Sequence, residues 1–226
     1  MKVGLISDVH ANLPALETVL DDMPAVDRIY CAGDVVGYNP WPAECVDRVR
    51  DVAAATVRGN HDRTVESPER YRANRMAEAG LEHAKASLSV EQREWVGGLP
   101  RAETLAGDRY LLVHSHPAAE REDAYVYPEE FPNLDRHMGE YDGIVLGHTH
   151  VQGCRDVAGG FVCNPGSVGQ PRDADPRAGY AVLDTTADGT DAVETHRVAY
   201  DVDRVAEAVR DADLPETTAE RLYEGK

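Results

Sequence analysis

Short apolar runs alternate with segments of helical periodicity in the first part of the chain. The first run covers Lys2–Ile6, and later runs cover 28–31, 53–57, 110–113 and 144–146. Because these runs are short and do not alternate with polar residues, they predict buried strands of a parallel or mixed sheet. Residues 14–22 and 43–51 carry apolar side chains at helical spacing between the first three runs. The order strand–helix–strand–helix–strand predicts an α/β fold.

The pattern changes between residues 67 and 97, which are rich in Glu, Arg and Ala and contain few large apolar residues. Within this section, Ser89 and Gln92 have the spacing of a helix capping box. The section therefore predicts a helical excursion beside the core, and the sequence leaves open whether it acts as a lid or as plain helical packing. The long polar stretch 115–135 predicts a loop.

The remaining elements are mainly strands, followed by two helices. Runs that flank Gly107 and Gly159 predict β-hairpins. Runs at 180–184 and 192–198 are expected to close a second sheet. The C-terminal part, about 201–226, predicts a helix over 201–212 and then a short, weakly anchored helical tail.

The length of 226 residues suits a single domain over 1–226. Hydrophobic residues make up 42% of the chain but aromatic ones only 6%, so we expect a core of Val, Leu, Ala and Ile. The apolar runs are too short to span a membrane. No signal peptide precedes the first strand, and no C-x-x-C spacing occurs among the cysteines, which are Cys31, Cys45, Cys154 and Cys163. These features predict reduced, partly buried thiols in a cytoplasmic protein.

Acidic residues outnumber basic ones by 41 to 23, which gives a net charge of −18. Lysine occurs only at positions 2, 85 and 226, and this balance resembles proteins of a salt-saturated cytoplasm, so we expect a halophilic protein. An ordinary acidic protein is the alternative. The charge argues against an extended nucleic-acid face, although it is compatible with a small nucleotide held by metal ions.

Polar side chains of metal-ligand type follow the predicted strands. The blocks are Asp8-Val9-His10, Gly33-Asp34, Gly59-Asn60-His61-Asp62, His114 and Gly147-His148-Thr149-His150. Because the carboxyl ends of parallel strands share one edge of a sheet, we expect these side chains to meet at that edge. Residues two apart at a strand end point the same way, so each pair can face one site.

These five blocks, in this order over residues 2 to about 170, resemble the calcineurin-like metallophosphoesterases. The stretch Ser7-Asp8-Val9-His10-Ala11-Asn12-Leu13-Pro14 is most similar to the small stand-alone archaeal and bacterial phosphoesterases. The resemblance implies a four-layer α/β/β/α sandwich of two mixed sheets, with the site at one sheet edge.

The resemblance also implies a site for two divalent metal ions. It assigns Asp8, His10 and His150 to one ion, Asn60, His114 and His148 to the other, and Asp34 to the bridge between them. Mixed imidazole and oxygen ligands favour Mn, Fe, Ni, Co or Zn over Ca, and Mn²⁺ is the first choice.

The resemblance implies that His61 donates a proton to the leaving oxygen or stabilises the charge that develops on it, and Asp62 is the candidate to orient His61. A purely structural histidine is the alternative. The Ser/Thr protein phosphatases of the family carry a further Asp and an Arg after Gly-Asp, where this chain continues with Val35-Val36-Gly37-Tyr38-Asn39. This departure argues against protein phosphatase activity.

Two further residues are candidates for contact with substrate. Asn12 lies two residues after His10, so it points either into the site or into a helix cap. Arg172 ends a Gly- and Pro-rich loop that matches one in small phosphodiesterases of the superfamily, and it could hold a phosphate oxygen. A rigid turn with a surface arginine is the alternative for that loop.

Together these features predict a two-metal-dependent hydrolase of phosphate esters, acting through a metal-bridging hydroxide. A phosphodiesterase for a small or nucleotide substrate is the first expectation, and a phosphomonoesterase or a dinucleoside polyphosphate hydrolase is the alternative. The alternative from another class is a non-enzymatic scaffold on the same fold, like the retromer subunit. That subunit lacks the histidine that His61 supplies here. A nuclease would need a basic track, which this chain lacks, and a homo-oligomer stays open.

Overall fold

The computed structural model describes residues 1–185 and 191–226 and contains two five-stranded sheets. The strands are β1 (Lys2–Ile6), β2 (Arg28–Cys31), β3 (Ala53–Thr56), β4 (Ala102–Leu105), β5 (Tyr110–Val113), β6 (Gly143–Val145), β7 (Gly153–Val157), β8 (Gly160–Asn164), β9 (Ala178–Asp184) and β10 (Ala192–Val198). The α-helices are α1 (Leu13–Asp22), α2 (Pro42–Val52), α3 (Asn60–Thr64), α4 (Arg75–Ser87), α5 (Val90–Gly98), α6 (Val202–Asp211) and α7 (Glu216–Glu224). Three 3₁₀ segments cover Pro68–Tyr71, Ala119–Arg121 and Pro128–His137.

The first sheet has the order β10-β9-β1-β2-β3, and the second has the order β4-β5-β6-β8-β7. Both sheets are mixed. In the first, β1 pairs in parallel with β2 and antiparallel with β9. In the second, β6 lies between two parallel neighbours, β5 and β8. The carboxyl ends of β1, β2, β5 and β6 are therefore free to contribute to one site.

The two sheets pack face to face through alternate residues of their strands. Val3 and Leu5 of β1 lie in the cluster between the sheets together with Leu112 and Val145 of the second sheet. The neighbouring residue Ile6 packs on the other side, against α1 and α2. This period of two gives each strand one face for each layer.

Helices cover the outer face of the first sheet, and the segment Pro128–His137 covers that of the second. Phe131 and Leu134 of this segment are buried against Ile144 and Val162. The expected α/β/β/α sandwich is confirmed, with 3₁₀ structure in its outermost layer. The expectation that 115–135 is only a loop was wrong, because buried apolar side chains fold part of it onto the sheet.

The helices of the section 67–97 form where helical structure was expected. The capping box at the start of α5 is confirmed, since Ser89 Oγ accepts the Gln92 N–H and Gln92 Oε1 accepts the Ser89 N–H at 2.9 Å. No helix of the described residues is long and apolar enough to cross a membrane.

The expectation that 180–184 and 192–198 close the second sheet was wrong. Both strands belong to the first sheet, where Leu183 of β9 lies opposite Val3 of β1. After β8 the chain crosses over to the other sheet. Sequence proximity to β8 gave no sign of this crossover, since both sheets offer equally apolar partners.

The expectation of four reduced thiols was also wrong for one pair. Cys154 and Cys163 face each other in the β7–β8 pairing, with Cα atoms 4.1 Å apart, and form a disulfide. The pairing depends on strand register, which Cys spacing alone does not show. Cys31 and Cys45 are buried free thiols.

The C-terminal helix α7 is firmly packed, contrary to the expectation of a weakly anchored tail. Its residues Ala219 and Leu222 are fully or almost fully buried against Val205 and Val209 of α6. The sequence shows the apolar positions of each helix, but the contact between the two helices depends on how they pack.

We expect Leu222→Ala to lower the free energy of unfolding by about 2 to 3 kcal/mol, the lower part of the range for a buried leucine, because the cluster between α6 and α7 is small. Glu220→Ala, an exposed change in the same helix, is the matched control. Denaturant titrations of both variants measure the difference. Equal stabilities would show that α7 is loosely attached.

Candidate metal centre

The predicted ligand residues meet where the carboxyl ends of the strands of both sheets come together. They are Asp8 after β1, Asp34 after β2, Asn60 at the start of α3, His114 after β5, and His148 and His150 after β6. All are buried, and His10 beside them has no exposed surface. These seven polar side chains have little contact with water. They therefore need hydrogen-bond or metal partners, because unpaired buried polar groups are costly.

Most of these ligand residues have a left-handed backbone conformation. The φ angles are 52° at Asp8, 45° at His10, 52° at Asp34, 69° at His148 and 58° at His150. Such conformations are unfavourable for residues other than glycine, and they concentrate at functional sites. Here they turn the chain sharply at the strand ends and direct successive ligand residues toward one place.

Two glycines permit the close approach of these turns. A side chain at Gly59 would overlap the Asp34 carboxylate, and one at Gly147 would overlap Ser7 and Asp8. Both positions belong to the sequence blocks that identify the site. Their glycines are therefore required by the contact between strand ends.

The first ligand cluster consists of Asp8, His10 and His150. His10 Nε2 lies 3.2 Å from His150 Nε2, and Asp8 Oδ1 lies 3.8 Å and 3.3 Å from these two atoms. The His10 Nδ1–H donates to the Val36 carbonyl at 3.1 Å, and the His150 Nδ1–H donates to the Gln170 carbonyl at 2.5 Å. Both Nε2 atoms of the neutral rings therefore present lone pairs to each other.

Burial strengthens this arrangement by keeping the imidazoles neutral. It lowers the pKa of His10 and of His150 well below the usual value, and it raises the pKa of Asp8 to about 6. Three acceptor atoms that face one another without a hydrogen between them repel. A bound cation removes this repulsion, so the cluster fits a metal ion held by Asp8, His10 and His150.

Asp34 lies between the first cluster and a second one. Its Oδ2 atom is 3.6 Å from His10 Nε2 and 3.5 Å from His114 Nε2, while Asn60 Oδ1 is 3.1 Å from His114 Nε2. The His114 Nδ1–H donates to the Ala32 carbonyl at 2.7 Å, which again directs Nε2 into the site. One carboxylate oxygen thus reaches both groups, as a bridging ligand must.

The second cluster, formed by Asp34, Asn60 and His114, favours positive charge, as the direction of its pKa shifts indicates. Burial works against a charged His114, but the charges of Asp34 and Asp8 overcome it and raise the pKa of His114 to about 10. Burial works against a charged Asp34 as well, but the charge of His114 and its hydrogen bond with Asp34 lower the pKa of Asp34 well below the usual value. A cation bound beside Asp34 would displace the His114 proton, because a metal ligand must present neutral imidazole.

His148 is placed beside the second cluster. Its ring lies 5.0 Å from that of His114 and stacks on Tyr125 at 4.4 Å. The His148 Nε2–H donates to the Asp123 carbonyl at 3.0 Å, which leaves Nδ1 as the nitrogen for a metal. Its role as a ligand stays a prediction.

His61 lies next to both clusters, with its ring held by aromatic neighbours. The ring centroid is 4.7 Å from that of Tyr38 and 5.0 Å from that of Tyr71, and the backbone N–H of His61 donates to Asp34 Oδ1 at 2.8 Å. Burial lowers the pKa of His61 to about 4, although the Asp34 charge acts in the other direction. Its Nδ1 atom is buried and has no hydrogen-bond partner among the described residues.

The expectation that Asp62 orients His61 does not agree with the structure. The Asp62 carboxylate instead accepts four backbone N–H groups, those of Gly59, Asp34, Val35 and Val36, at 2.7–3.2 Å. It therefore fixes the loop that carries Asp34. Asp62 is a positioning residue for the bridging carboxylate.

Asn12 caps a helix and does not point into the site. Its Oδ1 accepts the Ala15 N–H at 3.2 Å at the start of α1, and its Nδ2 donates to the Gly169 carbonyl at 3.0 Å. Both polar atoms are thus engaged, and the side chain has no exposed surface. The expectation of a substrate contact was wrong, because the sharp turn after His10 rotates Asn12 toward the helix.

Arg172 lines the cavity above the ligand clusters. Its guanidinium donates to Gln170 Oε1 at 2.7 Å and to the Tyr38 hydroxyl at 3.1 Å. The cavity has a volume of about 100 Å³ and is also lined by residues that the sequence reasoning did not select, namely Tyr38, Tyr71, Asn74, Tyr125 and Arg221. Only Tyr38, close to Gly33-Asp34, carried a sequence signal, since the rest lie in helices or loops far from the motifs.

Comparison with known proteins agrees with this geometry. Residues 1–188 match the model of the calcineurin-like phosphoesterase superfamily domain. The chain is 31% identical to the uncharacterised protein MJ0912 of Methanocaldococcus jannaschii, over 99% of this chain and 98% of that protein. It is 29% identical to the phosphodiesterase YfcE of Escherichia coli, over 81% of this chain and 88% of that protein.

Among solved structures, a metallophosphoesterase from Sphaerobacter thermophilus is 33% identical, with a TM-score of 0.83 over 100% of both chains. Two mixed sheets with histidine and carboxylate groups at their shared edge define the class of metallophosphoesterases. The chain belongs to the calcineurin-like phosphoesterase superfamily, whose members depend on metal ions.

We expect Asp34→Asn to lose at least one metal ion per chain, because an amide supplies neither the negative charge nor two equivalent oxygens between the clusters. Metal content after loading with Mn²⁺ and desalting measures the effect. Asp51→Asn, an exposed change on α2, is the matched control. Full occupancy in Asp34→Asn would contradict the bridging assignment.

Proposed function

We propose that the protein hydrolyses phosphate esters with two divalent metal ions, and that its substrate is a small or nucleotide phosphodiester. The observation that carries this proposal is the position of Asp34 Oδ2, which lies 3.6 Å from His10 Nε2 and 3.5 Å from His114 Nε2. A single oxygen placed between two groups of nitrogen and oxygen donors suits a pair of adjacent cations.

Bound metal ions would supply an activated water nucleophile and neutralise the charge on the phosphate oxygens. Asp8, His10 and His150 would hold one ion, and Asn60, His114 and His148 the other. The mixture of nitrogen and oxygen donors favours Mn²⁺ or a neighbouring transition metal over Ca²⁺.

His61 would act on the leaving oxygen. Its ring lines the cavity together with Asp34, and because Nδ1 is buried beside Gly37, Nε2 is the nitrogen that would face the substrate. At neutral pH the ring is neutral because burial lowers its pKa to about 4. An anionic substrate adds negative charge beside the ring, which raises its pKa and favours the protonated form that can donate a proton to the leaving oxygen.

Arg172 would hold a phosphate oxygen that points away from the metal ligands. Its Nε atom is buried without a hydrogen-bond partner in the described part of the chain. A phosphate oxygen would accept a hydrogen bond from the guanidinium. The contacts with Tyr38 and Gln170 keep its position fixed.

The choice of a small diester has two supports. YfcE, a phosphodiesterase, is 29% identical over 81% of this chain. The net charge of −18 disfavours binding of long nucleic acids, whose phosphate backbone is also negative. The presence of His61 and of a full ligand set favours an enzyme over a scaffold protein on the same fold.

We expect His61→Ala to keep its metal ions and to lose turnover by about 100-fold or more, since general acid catalysis contributes factors of this size. Metal analysis and steady-state kinetics on one preparation separate the two effects. His137→Ala, in the 3₁₀ segment outside the cavity, is the control. Undiminished turnover would remove the acid role from His61.

The substrate class can be tested with bis(p-nitrophenyl) phosphate beside p-nitrophenyl phosphate, in high salt with Mn²⁺, Ni²⁺, Zn²⁺, Mg²⁺ or a chelator. We expect metal-dependent cleavage with a preference for the diester. A preference for the monoester would make the protein a phosphatase. Absence of turnover with every metal, in folded and metal-loaded protein, would favour the scaffold.

A further inference from the structure

Arg221 extends the candidate site from a part of the chain outside the family match. The match covers residues 1–188, whereas Arg221 lies on α7. It lines the same cavity as Asp34, His61 and Arg172. The metal ligands and this arginine therefore come from different segments that meet only in the folded protein.

The position of Arg221 is well fixed. Its Nε–H donates to the backbone oxygen of Lys226 at 2.6 Å, and the following residue, Leu222, is buried between α6 and α7. A guanidinium held in this way loses little freedom when it binds a ligand. It can therefore discriminate between substrates better than a free surface arginine.

Arg221 and Arg172 line one cavity, and neither has an aspartate or glutamate side chain as an ion-pair partner among the described residues. This holds although acidic residues outnumber basic ones by 41 to 23 in the whole chain. Partial burial, and the charge of Arg172, lower the pKa of Arg221. Two guanidinium groups that line one cavity without an Asp or Glu partner, in so acidic a protein, favour binding of an anion there.

The size of the cavity shows where this anion would lie. A volume of about 100 Å³ holds little more than one phosphate group. Arg221 also borders a larger outer cleft of about 790 Å³, which is lined by Glu220 and Glu224 among others. Because these carboxylates repel anions, we expect the second anionic group at the rim of the inner cavity, where Arg221 lies, next to the scissile phosphate that Arg172 would hold.

We propose that Arg221 and Arg172 form a second anion subsite, so that the preferred substrate is a phosphodiester with a further phosphate, phosphonate or carboxylate group near the scissile phosphorus. This inference rests on the proposed phosphodiesterase function. Arg221 is then the residue that determines specificity, while the superfamily motifs supply the reaction. A phosphorylated nucleoside and a phosphorylated sugar share the required chemistry.

Two p-nitrophenyl phosphodiesters with the same leaving group test the proposal, one with an ethyl group and one with a 2-phosphonoethyl group. We expect the Mn²⁺-loaded wild type to prefer the phosphonate ester. Arg221→Gln should lower the ratio of the two kcat/KM values by about tenfold or more, through loss of a charge-assisted hydrogen bond. Arg221→Lys, which keeps the charge, should retain part of the preference.

Calorimetric binding of the products, 2-phosphonoethyl phosphate and ethyl phosphate, gives a second readout on the same metal-loaded proteins. The exposed Arg204→Gln on α6 is the matched control and should keep both the kinetic and the binding ratio. An unchanged ratio in Arg221→Gln would overturn the subsite. If the wild type cleaves neither ester, the proposed function fails, and the binding ratio still decides whether Arg221 holds the second anion.

Discussion

The structure of the site depends on one buried carboxylate. Asp34 has almost no exposed surface, accepts the backbone N–H of His61 through one oxygen, and approaches His10 and His114 with the other. It can stay ionised there only because positive or hydrogen-bonding groups surround it. Asp62 completes the arrangement by binding the amides of the loop that presents Asp34. Both sheets thus converge on a single negative charge.

The convergence of the candidate ligand residues at one place could be predicted from sequence because chain order and topology are linked. In an α/β fold, the residue after each parallel strand lies at a common edge, so Asp8, Asp34 and His114 were expected to lie close together. The same logic failed for the last two strands. The pairing of β9 with β1 links residues about 180 positions apart, and only packing decides between two equally apolar sheets.

Roles that depend on backbone direction were harder to predict. Asn12 and Asp62 carry polar groups suited to catalysis, but the left-handed turn before Asn12 directs it into a helix cap, and Asp62, on α3, contacts backbone amides instead. Conversely, Tyr38 and Tyr71 hold His61 by ring contacts that no short motif encodes. Spacing identifies which side chains are near a site, whereas the local φ angles decide what each one touches.

The left-handed turns at the candidate ligand residues link metal binding to the stability of the fold. They hold acceptor atoms such as His10 Nε2 and His150 Nε2 face to face, 3.2 Å apart, an arrangement that is unfavourable until a cation lies between them. A ligand that binds the folded chain and not the unfolded one stabilises it in proportion to the logarithm of its free concentration. Binding of a metal ion at this site would therefore stabilise the folded protein, and the free energy of unfolding would rise with the free concentration of that ion.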